Sequence, residues 1–227
     1  MNSKNILVLG SGPQNKINGF EFHKIYASNA SIIKSKNYIN NNNINNINLV
    51  ATLNSILSDV PTRENINLVK PNRIIVRRGS TIIFPGINFK YTSKSYNKIE
   101  QWNFQKQFFN FGFCSLIISE LFYGNTLLEK INYLKNCLIY RKGFLGISTG
   151  FFTILLALYE NPEDKIFISG ISMNNSEHFY KLIGKEDKVM TRHKVDNFMI
   201  KFLKKKYKKR MFSNNKLFSE IAQIKLI

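Results

Sequence analysis

Two histidines, His178 and His193, follow a small polar turn at Gly146–Gly150. An imidazole titrates near neutrality and can take the proton of a hydroxyl. Ser148, Thr149 and Gly150 lead into the apolar run Phe151–Tyr159. They place hydroxyls and backbone N–H groups at a helix N-terminus, which suits phosphate or carboxylate. The same residues also read as plain capping, with Ser148 or Thr149 as N-cap. Near the start of the chain, Gly10-Ser11-Gly12-Pro13 follows the short apolar run Ile6–Leu9 and lets backbone approach a ligand closely. It is not a dinucleotide fingerprint, because Asn15 stands at the third glycine and Ser28 and Asn29 stand where the ribose-binding acid would be. No Gly-Lys-Ser/Thr loop, paired-histidine spacing, Cys-x-x-Cys or Asp-x-Asp is present, so no metal site is expected. His23 is assigned no role. Together these residues suggest an enzyme that holds a nucleotide and moves a proton.

The elements that must carry them alternate between strand and helix. Ile6–Leu9, Lys24–Ala27, Asn48–Thr52 and Arg73–Val76 read as strands, as does Thr81–Phe84, which could form a hairpin with Arg73–Val76. Asn37–Asn48 is Asn-rich and reads as a loop. Residues 86–112 show no clean period. Cys114–Phe122, Thr126–Asn136, Thr149–Tyr159 and the amphipathic Lys194–Lys206 read as helices, Lys165–Ser169 as a strand and Lys208–Phe212 as a last strand. This alternation predicts an α/β layer architecture around a largely parallel sheet with helices on both faces. Ligands then bind at the carboxyl ends of the strands. Gly10–Gly12, Ser28-Asn29, Leu53-Asn54 and Ser169-Gly170 would ring one crevice there with uncharged hydrogen-bonding groups.

The 227 residues suffice for one core, and one domain spanning residues 1–227 is expected. The two cysteines, Cys114 and Cys137, lie in apolar surroundings and fit buried thiols in a reducing compartment. Ile6–Leu9 is too short for a secretory h-region, and no apolar run reaches bilayer length. The expected location is cytoplasmic, peripheral at the inner membrane face. Thirty-three basic against 14 acidic residues give a net charge of +19, which favours anionic partners. An AT-rich composition in Asn, Ile and Lys accounts for part of that charge. The dense run Lys201–Arg210, interleaved with apolar residues on its N-terminal side, could lie on anionic lipid.

In order and spacing these pieces resemble sialyltransferases. Ile147-Ser-Thr-Gly150, the helix ending Leu155-Leu-Ala-Leu158 and the strand Ile166–Gly170 are similar to the small sialyl motif. Glu177-His-Phe-Tyr180 is similar to the His-Tyr motif of the animal enzymes, and Arg192-His193 to the very small motif with its catalytic histidine. Val8–Pro13 resembles the CMP-binding start of bacterial lipooligosaccharide sialyltransferases, whose nucleotide-contacting asparagines align with Asn29 and Asn54. The resemblance spans residues 6–54 and 143–215, with 60–142 poorly matched. It implies a Rossmann-like domain of GT-A type and an inverting, metal-independent transfer of sialic acid from a CMP-sugar, without a cofactor, to a bacterial cell-surface glycan or glycolipid such as lipopolysaccharide. His193 would be the general base, and His178 or Tyr180 would stabilise the departing phosphate. Ser148, Thr149 and Gly150 would bind CMP or the donor carboxylate. Gly10, Ser11, Gly12, Asn29 and Asn54 would hold the nucleotide, with Gly170 in the same nucleotide-sugar set. Ser11, Asn174 and Gly146 depart from the family pattern, which admits CMP-Kdo or a CMP-nonulosonic acid other than sialic acid as donor, or a homologue that binds CMP without transfer. The alternative of another class is a basic, non-catalytic nucleic-acid-binding α/β protein.

Overall fold

Short aliphatic runs without polar alternation belong to strands covered on both faces, and five such runs build the centre of this chain. A computed structural model describes residues 3–12, 16–39, 44, 46–77, 84, 86–110, 121, 126–140, 146–171, 173 and 186–227, without the side chains of 98, 99, 102, 133, 136–140 and 186–193. In chain order the elements are β1 (Asn5–Leu9), β2 (Lys24–Ser28), a 3-10 helix (Asn29–Ser35), α1 (Lys36–Ile39), β3 (Ile47–Thr52), α2 (Leu53–Ser58), α3 (Val60–Val69), β4 (Arg73–Arg77), β5 (Thr92–Tyr96) and α4 (Lys98–Lys106). Then follow α5 (Leu127–Tyr140), α6 (Thr149–Glu160), β6 (Lys165–Ser169), α7 (Glu186–Lys201), α8 (Lys205–Lys208), β7 (Met211–Ser213), α9 (Lys216–Ala222) and β8 (Lys225–Leu226).

These strands form one eight-stranded sheet in the order β5-β4-β3-β2-β1-β6-β7-β8, with every pairing parallel. Helices cover both faces, as in Rossmann-like folds. Residues alternate across each strand, so Ile6, Val8, Tyr26 and Val50 join one core with α4, α6, α7 and α9. Leu7, Leu9, Ala27 and Leu49 join the other with the 3-10 helix, α2 and α3. The chain winds outward from β1 to β5 along one face, then returns to the centre at β6 and winds the other way along the opposite face. Crossovers of one hand require this change of face. The switch point falls between β1 and β6. Helix α6 is buried over Phe151–Leu158, which explains its apolar composition all round. The outer strands β5 and β8 carry the exposed Lys94 and Lys225, which discourages edge pairing.

Several sequence expectations need correction. Both edges of Arg73–Arg77 are occupied, by β3 and β5, so no edge remains for a hairpin partner; Thr81–Ile83 lie outside the described residues. Residues 86–112 contain β5 and α4. The helix over Lys194–Lys206 ends at Lys201, turns through Phe202–Lys204 and resumes as α8. Lys208–Phe212 is not the last strand, since β7 starts at Met211 and α9 and β8 follow. Cys114 and the Cys137 side chain are outside the described set. Among the described residues no helix is long and apolar enough to cross a membrane.

At the switch point the ladder runs past the strands: Gly10 N–H donates to Ser169 O at 2.8 Å and Gly12 N–H to Gly170 O at 2.6 Å. A Cβ at Gly10 would overlap the Gly170 carbonyl and Ile171, and one at Gly170 would overlap the Gly10 carbonyl. Gly170 also sits at φ 72°. Backbone cannot recede as a flexible side chain would, so Gly10→Ala is expected to cost about 2 kcal/mol of stability, read by denaturant unfolding; Gly150→Ala, whose Cβ would meet Ile171 only at an ordinary 3.5 Å, is the mild comparison.

Candidate functional site

Parallel strands with a shared direction bring the carboxyl ends of β3, β2, β1 and β6 to one edge of the sheet in that order. Gly10, Ser11 and Gly12 extend from β1, Asn29 from β2, and Gly170 from β6. The hydroxyls next to them are committed to the strand ends. Ser31 Oγ donates to Leu9 O at 2.9 Å, and Ser28 Oγ donates to the same carbonyl at 3.3 Å. Asn29 adopts the left-handed region, φ 49°, which asparagine tolerates better than most residues. Its Oδ1 is buried and has no hydrogen-bond partner among the described residues. An acceptor held away from water without a donor is costly unless something else supplies the donor.

Lys34 reaches the same place from the 3-10 helix. Its ammonium donates to Gly10 O at 3.0 Å and to Gly12 O. Burial pushes this amine down to about 8, since desolvation penalises the charged form. The sequence reading passed over Lys34. The available signal was one lysine in a run, Asn29–Ser35, otherwise made of small and aliphatic residues directly after a strand.

The second half of the site is the turn before α6. Ser148 is the N-cap, and its Oγ accepts from Phe151 N–H at 3.1 Å. Ser148 N–H donates to Oδ1 of the buried Asp196 at 2.8 Å. Asp196 thus lends the chain's own carboxylate to the helix N-terminus, where negative charge is favoured. The turn is gripped from below by Arg77, whose guanidinium donates to Ile147 O at 2.5 Å and to Gln101 Oε1 at 2.9 Å and lies 5.2 Å from the Phe152 ring centroid. Thr149 is buried, and its carbonyl accepts from Thr153 Oγ1. The hydroxyl of Ser148 therefore serves the cap, and what the turn can offer a ligand is the first backbone N–H groups of α6.

Ile171 joins the two halves. It lies beside Gly10, and a Cβ at Gly150 would meet it at 3.5 Å. Gly10 and Gly150 thus share one buried neighbour, which directly follows Gly170. Helix α7 docks on the same spot through Asp196 and through Asn197, whose Nδ2 donates to Met173 O at 2.7 Å. The backbone of His193 lies on α7, about 4.5 Å of rise ahead of Asp196; its side chain is outside the described set, as are His178 and Tyr180. Asn54 stands apart. It is an exposed residue of α2 rather than a strand end, its side chain accepts from Ser58 Oγ at 3.2 Å, and β3 is two strands from β1, about 10 Å away.

No protein-family model matches this chain, and neither a curated protein nor a solved structure matches it significantly.

The depressed Lys34 amine has a signed consequence. Below pH 8 both folded and unfolded chains carry the proton; between about 8 and the unfolded value of 10.5 only the unfolded chain does. The unfolded state binds more protons in that window, so stability rises with pH there. Wild type is expected to gain stability relative to Lys34→Met as pH increases from 8 to 10.5, and NMR of the Lys34 side chain should give a titration midpoint near 8.

Proposed function

We propose that the chain is a sialyltransferase-like glycosyltransferase of GT-A type that moves sialic acid, a related nonulosonic acid or the octulosonic acid Kdo from a CMP-sugar to a cell-surface glycan or glycolipid. The observation that carries this reading is that Ile171 lies against both Gly10 and Gly150 at the β1–β6 switch point, where Gly10 and Gly170 bring their backbones together. Such switch points are where α/β sheets bind nucleotides. The Asn29 Oδ1, without a hydrogen-bond partner among the described residues, suits an amino group of a nucleobase, and the Lys34 ammonium suits a phosphate.

The chemistry follows from the resemblance. The acceptor hydroxyl oxygen attacks the anomeric carbon, the bond from that carbon to the phosphate oxygen breaks, and CMP leaves with the electron pair. His193 takes the acceptor proton. Helix N–H groups at Thr149 and Gly150, with Lys34, would offset the negative charge growing on the phosphate. His178 or Tyr180 would share that task.

Turnover is tested by incubating the protein with CMP-sialic acid or CMP-Kdo and measuring CMP release. His193→Ala is expected to lower release by about 100- to 10,000-fold while CMP still binds in calorimetry. Lys34→Met is expected to weaken CMP binding about tenfold and to weaken cytidine binding less than that. Absence of CMP binding, together with salt-sensitive binding to generic DNA or RNA, would contradict the reading.

A further inference from the structure

The basic run Lys201–Arg210 does not act as one surface. Lys204 Nζ donates to Gln107 O at 2.7 Å. The Arg210 guanidinium donates to the carbonyls of Asn161 and Asp164, both at 2.8 Å, and so ties down the end of α6. These two cations serve the fold. Lys205, Lys208 and Lys209 instead converge with Lys225 of β8 around a cavity of about 690 Å³. The cavity reaches the core side chains Leu203 and Met211. Lys208 Nζ is 3.4 Å from Gln223 Oε1, and burial lowers its pKa.

This cavity lies at the starts of β7 and β8, the amino end of the sheet, whereas the glycine crevice lies at the carboxyl ends. The two are separate, and the inference below does not rest on the nucleotide reading. Ammonium groups gathered at one mouth repel each other unless an anion sits among them. Lysine is a point-charge binder of phosphate. The lining is not purely charged, however, and its apolar part has no use for a bare inorganic ion.

We propose that this cavity is a binding site for the phosphate headgroup of an anionic phospholipid, with the ammonium groups of Lys205, Lys208, Lys209 and Lys225 on the phosphate and the first acyl carbons against the apolar lining. The complementarity is between four cations in a chain of net charge +19 and an anionic bilayer surface. The site would hold the protein on the membrane by its amino-end edge.

The test uses the full chain and vesicles of equal parts phosphatidylglycerol and phosphatidylcholine, against vesicles of phosphatidylcholine alone, in a sedimentation assay at physiological salt. Lys205 and Lys209 are exposed, so Lys205→Gln/Lys209→Gln should fold. Lys36→Gln/Lys94→Gln removes the same charge from exposed positions elsewhere. The expected result is binding to the anionic vesicles only, reduced about tenfold or more by the cavity pair and less than about twofold by the other pair. Soluble dihexanoyl phosphatidylglycerol should raise the melting temperature of wild type but not of the cavity variant. Equal loss in both double variants, or no binding of wild type to anionic vesicles, would overturn the proposal. Stabilisation by inorganic phosphate as strong as by the short-chain lipid would assign the site to free phosphate and overturn the lipid. Mixed-sequence RNA binding through Lys205 and Lys209 without vesicle binding would do the same.

Discussion

Just past β1 and β6, the backbones at Gly10 and Gly170 lie too close to admit a side chain, and the rest of the site depends on that approach. The two strands pair in parallel over Asn5–Leu9 and Lys165–Ser169, and the ladder continues through Gly10 and Gly12. A side chain at either glycine would meet carbonyl backbone. Without this closure Ile171 would not sit against both Gly10 and Gly150, and the turn before α6 would have no fixed relation to the β1 end. The topology places the closure where the winding of the sheet changes direction, the position at which open α/β sheets leave a crevice.

Around that closure the polar groups follow a division of labour. Buried hydroxyls of Ser28 and Ser31 satisfy the Leu9 carbonyl, and Lys34 satisfies those of Gly10 and Gly12. Arg77 and Asp196, both almost fully buried, grip the 147–148 turn from opposite sides, one at a carbonyl and one at an N–H. Removing a partner from such groups is expensive, because the remaining one keeps its desolvation cost. These contacts fix the position of the turn through both of its backbone polar groups. Preorganised dipoles of this kind do not need to reorient as charge develops, which is the usual source of electrostatic stabilisation in transfer reactions.

The central strands were readable because burial on both faces leaves an uninterrupted aliphatic signature, as in Ile6–Leu9 and Arg73–Val76. The Ser148 cap and the Gly10–Gly12 turn were readable for a related reason: each is a local backbone demand met by local residue types. What escaped was set by tertiary position. Thr92–Tyr96 is a polar edge strand, with nothing in Thr-Ser-Lys-Ser-Tyr to mark it until β4 is beside it. Lys225-Leu226 is a two-residue edge for the same reason. Lys34 looks like an ordinary surface charge in the chain, and only the fold carries it to Gly10. The expected hairpin of Arg73–Val76 with Thr81–Phe84 fails because β3 and β5 take both edges of β4, and β propensity says nothing about which edges are taken.

On the proposed function, the β1–β6 switch point holds the nucleotide. Titration of the isotope-labelled protein with CMP, followed by amide chemical shifts, locates the site. Binding at the switch point would concentrate the shifts at Gly10, Gly12, Asn29, Gly150 and Gly170. Saturable CMP binding that leaves those five amides in place, and moves residues at the amino end of the sheet such as Lys205–Lys209 instead, would contradict it.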